Sequence, residues 1–300
     1  MFTRIVLAGL AGLGFAAGFA LAQETSPVQL PAQTFQASSV YVDGMVGKLE
    51  VAVGPAGALT MTVEGDADSV KRFHAEVKNN ELRIRQDNTN SLIDFSFWTQ
   101  DPAEKILVHL TVPAGTPLTI DGLVGDAEIG DINAPFHAEV AAGSIKAGLV
   151  TEAHIEAAGS GDISLSAVTG VLDIDVAGGG DIKTGDVGSV SLSVAGSGDV
   201  TIGAIAGGLD VDIAGSGKVN AQSVNGAVSI DVAGSGDIKI AGGHATSFTV
   251  EVMGSGDVKF GGEANNPKVE MFGSGDVWIK SYTGSLSSEG GGEVRVGGDG

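Results

Sequence analysis

Six aspartates recur at one position of a repeated unit and are the residues best placed to do chemistry: Asp162, Asp181, Asp199, Asp237, Asp257 and Asp276. Each closes a Gly-Ser-Gly-Asp tetrapeptide or its Gly-Gly-Gly-Asp variant at 178–181. Carboxylates repeated along a stack would suit hard cations such as Ca²⁺, which take several oxygen ligands. The spacing argues for a plainer role. Calcium-binding β-rolls repeat their Asp every nine residues or so, so that successive turns bring ligands from two sides. Here one Asp recurs about every nineteen residues, and Lys218 interrupts the series. An ammonium inside a cation ladder would repel its ligand. The expectation is therefore that each carboxylate accepts hydrogen bonds from amides of its own turn, with no resident metal or cofactor.

A second acidic set, Asp173, Asp175, Asp210, Asp212 and Asp231, precedes the corners. Polysaccharide cleavage would need such carboxylates to converge, with a base and aromatic platforms for sugar rings. Only Trp278 and Tyr282 supply aromatic rings near the repeats, and Lys183, Lys239 and Lys259 are scattered singly in the sequence. A solvated acidic face is the simpler reading. His74, His109, His137, His154 and His244 show no metal-ligand spacing. No nucleophile elbow or phosphate loop is present, because the Gly-rich corners follow strands but open no helix. These observations predict a protein that is not an enzyme.

What positions these residues is the repeat itself. The fourth corner positions, from Asp162 through Lys218 to Asp276, lie 19, 18, 19, 19, 20 and 19 residues apart. Weaker copies sit at Gly125-Asp126 and Gly143-Ser144, and Gly290-Gly291-Gly292-Glu293 closes the series. Alternating runs such as Leu172-Asp173-Ile174-Asp175-Val176 precede the corners, and short runs such as Ile238-Lys239-Ile240 follow them. Alternation places aliphatic residues on one face and polar ones on the other. A looser turn at Gly170, Gly188, Gly207 or Gly226 returns the chain. A sandwich of hairpins would give no reason for identical residues at every second turn. A right-handed parallel β-helix does, since like residues then stack about 4.8 Å apart. About nine rungs would make a rod of roughly 40 Å.

Composition agrees with an all-β solenoid. Glycine makes up 48 of 300 residues and aromatics 5%, too few rings for an ordinary aromatic-centred core. Hydrophobic content of 43% is too high for a disordered chain. Eight prolines without a Gly-X-Y period exclude collagen. There is no cysteine, so an exported form would rely on hydrogen-bond ladders and apolar stacking without disulfides.

The expected organisation has four parts. Residues 1–22 read as a signal peptide, with Arg4 before an apolar run and Ala20-Leu21-Ala22 as a small-x-small cleavage site. Residues 23–34 read as a linker, 35–120 as an irregular N-terminal β region that caps the rod, and 121–300 as regular repeats. Within the cap, strands are expected at 35–42, 47–53, 59–64, 81–85 and 106–112. A short helix is expected over 69–77 with Asp68 as its N-cap, Asn79-Asn80 reads as a turn, and Phe73, Phe95, Phe97 and Trp98 form a cluster of large residues. Without Arg4 the chain carries 15 basic and 37 acidic residues, a charge near −22. Such a surface repels nucleic acid and anionic lipid and favours cations. Export is expected, to the periplasm, the outer-membrane surface or the medium.

The repeated apolar–Gly-Ser-Gly-Asp–apolar units, with strands such as Glu81-Leu82-Arg83-Ile84 and Ile106-Leu107-Val108-His109-Leu110-Thr111-Val112-Pro113, resemble one bacterial family. It is the putative auto-transporter adhesin head GIN domain, and the resemblance covers roughly 35–296. That resemblance implies a two-sheet, pectin-lyase-like superhelix joined at Gly-Ser-Gly turns. It also implies a role in cell adhesion, without catalytic residues. Lys218 and Glu293 depart from the corner Asp, and no C-terminal membrane-barrel segment follows, so a complete autotransporter is not expected. Three functions follow as expectations: a non-catalytic module binding a surface protein or glycan; a polysaccharide-active enzyme of pectin-lyase type; and an envelope protein that self-associates through its C-terminal edge as a homo-oligomer.

Overall fold

A computed structural model describes residues 27–55, 57–87 and 106–298. The expected signal peptide and the cluster members Phe95, Phe97 and Trp98 lie outside the described residues. The chain is a β-solenoid of about nine turns. Successive rungs pair in parallel and in register. Leu209–Gly215 lies on Val187–Gly196 and beneath Ala227–Gly234, with Val194, Ile213 and Val232 in one column. All three are buried. The same holds after the corner, where Val200, Val219 and Ile238 stack. Period-two alternation in the sequence thus becomes aliphatic columns from two walls facing one interior, with one continuous core.

The corners also stack. Gly178, Gly196, Gly215 and Gly234 form a column of first corner glycines, each with a positive φ between 138° and 148°. The N–H of the following residue donates to the carbonyl of the first glycine one rung earlier, as Ser216 does to Gly196 at 2.9 Å. A side chain on the glycine would point at that same carbonyl: a Cβ at Gly215 would lie 2.2 Å from the Gly196 oxygen. Steric exclusion between rungs, together with positive φ, explains why glycine recurs at this position.

The N-terminal region is a cap, as expected, but its strands are not in chain order. Ser39–Asp43 and Val46–Gly54 form a rung that already turns at the corner, with Gly47 stacked on Gly125. The chain then leaves the coil. It returns as Glu81–Gln86 and Ile106–Pro113, which pair in parallel on the outer side of that rung. Antiparallel strands finish the end, with Leu59–Gly65 on Ile106–Pro113 and Phe73–Lys78 on Glu81–Gln86. Antiparallel pairing breaks the stacking rule at this end of the coil. The buried Gln86 side chain accepts from the Val46 N–H at 2.8 Å and ties cap to rung.

Two local expectations change. The helix spans Ala67–Lys71, shorter and earlier than 69–77, and its N-cap is Asp66, not Asp68. The Asp66 carboxylate accepts from the Asp68 and Ser69 amides at 3.0 and 2.9 Å, which fixes the start. The helix stops because Phe73–Lys78 is claimed by a hairpin whose turn residues, Asn79 and Asn80, have φ of 53° and 64°. Part of the expected linker is also ordered: Val28–Gln29 and Gln33–Phe35 pair antiparallel with Leu59–Gly65. At the opposite end, among the described residues, Ser287–Gly290 and Glu293–Val296 pair with the preceding rung only. Among the described residues, no helix is long and apolar enough to cross a membrane.

Candidate interaction surface

Because register is strict, each outward position of a rung becomes a column on the rod. The corner aspartates form one of these, with Asp199, Lys218 and Asp237 in direct succession. Their hydrogen bonds differ from the expectation. The carboxylate reaches the amide of the next rung, not of its own turn. Asp162 accepts from the Asp181 N–H at 3.1 Å, Asp199 from Lys218 at 3.2 Å, and Asp257 from Asp276 at 2.9 Å. In-register stacking brings that amide within hydrogen-bond reach of the carboxylate. Lys218 fits because its N–H still donates to Asp199.

Before the corner, Asp173, Asp175, Asp210, Asp212 and Asp231 separate into two parallel columns. Asp173 and Asp210 share the first, with Ser191 between them. Asp175, Asp212 and Asp231 share the second, which continues upward through Glu156 and Glu139 and downward through Glu251, Glu270 and Glu289. Ser193 is its one neutral member over that span. Like charges at rung spacing repel. Burial first, then the neighbouring Asp212, Glu251 and Asp210 charges, push the Asp231 carboxyl up from its ordinary 3.8. Beside this column runs an apolar one, from Ala195 and Ala214 through Ala233 to Met253 and Phe272. Met253 is 52% and Phe272 59% exposed. Between the two lies a shallow groove of about 310 Å³, lined by Asp212, Asp231, Glu251, Ala214, Ala233 and Met253 among others.

One outward position beyond the corner aspartates the charge reverses. Lys183, Lys239 and Lys259, scattered in the sequence, belong to one column with Thr201 and Asn220 between them. It ends on Trp278 and Arg295. The Lys259 ammonium lies 5.1 Å from the Trp278 ring centroid, a cation–π contact. The outward columns are therefore sorted by charge, with carboxylates before the corner and at its fourth position, and lysines one outward position beyond. The period carries this information, since residues 19 or 20 apart in sequence are neighbours in space.

Register also joins histidines that sequence spacing left apart. His137, His154 and Asp173 occupy one column, and the two imidazoles stack with centroids 4.9 Å apart. His154 bonds to Asp173 through Nδ1 at 2.9 Å and to Glu156 through Nε2 at 3.0 Å. Burial alone would lower the His154 pKa, but these two carboxylates outweigh it and raise it above 6.5. One rung further up, Glu139 lies beside Asp121. Its hydrogen bond to Asp121, followed by burial, raises it above 4.5, and Asp121 is held below 3.8 by Tyr41 and Glu139. Tyr41 donates to Asp121 at 2.6 Å, and that bond pushes the phenol up to about 12.

A pH dependence follows. Glu139, Asp231 and His154 all have raised folded pKa values, so each stabilises most when protonated and loses that contribution as pH rises through its folded value. Glu50, Asp66 and Asp121 are lowered, and their contributions disappear only as pH falls below about 4. The thermal midpoint should therefore rise from about pH 8 to about pH 5 and fall again in stronger acid. A midpoint that drops steadily from pH 8 downward would contradict the sorting of charge described here.

The family model described as "Putative auto-transporter adhesin, head GIN domain" matches residues 44–243 and 211–300. Among solved structures, a putative adhesin from Parabacteroides distasonis is 20% identical, with a TM-score of 0.46, covering 91% of this chain and 98% of that one. A putative adhesin from Bacteroides fragilis is 17% identical with a TM-score of 0.41, covering 90% and 97%. A protein from Parabacteroides distasonis described as a putative lipid binding protein is 17% identical with a TM-score of 0.42, covering 91% and 97%. No curated protein matches. The repeated glycine corner, its stacking into a solenoid and the span of the family match together place the chain: it belongs to the putative auto-transporter adhesin, head GIN domain family.

Proposed function

We propose that the protein is an exported, non-catalytic adhesion module whose rigid rod presents its acidic face to a surface protein or glycan carrying positive charge. The observation that carries this reading is the unbroken run of carboxylates from Asp212 to Glu289 beside an exposed apolar stripe ending in Met253 and Phe272. Carboxylates would steer a cationic partner, and the apolar stripe would add buried area on contact. A rod with in-register walls holds such an array without rearrangement, which lowers the ordering cost of binding.

Screening the purified protein against glycan arrays and envelope fractions tests this. Binding should weaken with added salt, because exposed charges are screened over about 10 Å at 0.1 M ionic strength. Changing Asp212 and Asp231 to Ser, the residue the column already holds at Ser193, should cost about tenfold or more in affinity. Changing Lys183 and Lys239 to Ser should leave it unaltered. Equal binding by the aspartate variant, or loss confined to the lysine variant, would overturn the proposal.

Polysaccharide cleavage remains a second reading on one observation, the raised Asp231 carboxyl in its shallow groove. A general acid needs such a shift. Turnover of acidic polysaccharides that disappears in Asp231→Asn would favour this reading over adhesion.

A further inference from the structure

Among the described residues, one group of metal-ligating side chains brings its donor atoms together: His154, Asp173 and Asp175, with the donors all within 4.8 Å of one another. Two adjacent rungs build it. His154 sits directly above Asp173, and Asp175 is the next outward residue on the same strand as Asp173. The intervening Ile155 and Ile174 point inward and are buried, which pins both rungs and fixes the directions of their outward side chains. The site lies on strands of a rigid wall, not on loops.

The surroundings select for a metal that uses nitrogen. Glu156 accepts from the Nε2 edge of His154 at 3.0 Å. That bond favours the tautomer with its lone pair on Nδ1, which faces Asp173. A carboxylate on the far nitrogen of a ligating imidazole is the usual outer support of a zinc-type site. His137 stacks on the other face of the ring at 4.9 Å and holds its plane. Nδ1 and the Asp173 oxygen are 2.9 Å apart. Two tetrahedral ligands at zinc distances lie about 3.3 Å apart, so a few tenths of an ångström of side-chain movement would admit the ion. A concavity of about 310 Å³ bordered by His137, His154 and Asp173 gives access.

We infer that His154, Asp173 and Asp175 form a surface site for a first-row divalent transition ion of the zinc type, with Glu156 as the residue that orients His154. Three protein ligands leave one coordination position for water or for a group on another molecule. Calcium is disfavoured, because one imidazole and two carboxylates offer few hard oxygens. The ion enters by displacing a proton: M²⁺ plus imidazolium gives metal-bound imidazole and H⁺. A ligating imidazole must give up its proton, so zinc affinity should fall as the pH is lowered. The site does not depend on the adhesive reading and would stand if that reading failed.

Isothermal titration of the purified protein with ZnCl₂ and with CaCl₂, in buffers of different ionisation enthalpy, tests it. One zinc per chain with proton release is expected, and calcium at least tenfold weaker. His154→Gln and Asp173→Asn should each lose at least tenfold in zinc affinity. Asp210→Asn, in the same column two rungs on, should lose nothing. Circular-dichroism melts of each variant establish that it is folded. Co²⁺ added to the unaltered protein supplies a readout that needs no variant, because a four-coordinate site with a nitrogen ligand gives visible absorption bands. Zinc affinity unchanged in His154→Gln, calcium binding as tightly as zinc, or absence of the Co²⁺ bands would each overturn the inference.

Discussion

Replacing Gly215 with alanine should destabilise the protein by about 2–5 kcal/mol, a large effect for the addition of one carbon. Two costs combine. Gly215 has φ of 146°, a conformation that an L side chain rarely adopts. Its new Cβ would meet the Gly196 carbonyl oxygen at 2.2 Å, where neither partner is a flexible side-chain end. That oxygen already accepts the Ser216 amide, so moving the backbone away breaks a rung-to-rung bond as well. Ser216→Ala is the matched control. Its side chain is exposed and its amide bond is kept, so the change should stay within about 0.5 kcal/mol. Urea unfolding of both variants makes the comparison. A Gly215→Ala midpoint equal to that of Ser216→Ala would show that the corners do not approach one another as described.

The second large effect is in the interior. Phe248 and Phe260 face each other across the coil from opposite sides of one corner, with centroids 5.1 Å apart and rings 26° from parallel. Both are essentially inaccessible to solvent. Most other rungs fill this space with Val, Ile and Leu, so two rings in one rung leave little room for neighbours to collapse inward. Phe248→Ala should cost about 3–5 kcal/mol. Because the rings touch, the double variant with Phe260→Ala should lose less than the two single losses added together. Denaturant titration of the three variants measures this. Additive losses would mean that the rings pack independently, against the geometry found.

The regular part of the fold was legible because a solenoid writes its geometry into the chain at a fixed period. Asp162 to Asp276 recur at the corner spacing, and that spacing alone implies that they stack. The cap was less legible for a physical reason. Its outer strands, Leu59–Gly65 and Phe73–Lys78, pair antiparallel, and Glu81–Gln86 is placed outside a rung that precedes it in sequence. None of these contacts recurs at any period. The helix was misplaced because Asp66 and Asp68 are equally good caps in isolation, and the choice is made by the strand that begins at Phe73.

The surface was half legible. The acidic residues were visible, but their separation into columns needs register, and so does the gathering of Lys183, Lys239 and Lys259. His154 and Asp173 lie 19 residues apart and His137 and His154 lie 17 apart. A search for short metal motifs passes over such pairs, whereas the repeat period, applied to the histidines as it was to the aspartates, would have found them. The partner of the Asp162, Asp199, Asp237 and Asp257 carboxylates also follows from stacking: it is the amide at the same position of the next rung.

Parallel winding with corner directly over corner can be tested by disulfide trapping, since the chain has no cysteine to interfere. Ser235 and Ser255 hold equivalent places on adjacent corners, with hydroxyl oxygens 3.1 Å apart. Neighbouring rungs place Cα atoms about 4.8 Å apart, within the range that a disulfide spans. The double variant Ser235→Cys, Ser255→Cys should therefore oxidise to an intramolecular bridge with no free thiol left. Ser197→Cys with Ser255→Cys, three rungs apart, should keep both thiols. If the adjacent pair stays reduced, or the distant pair closes just as readily, the stacked coil is wrong.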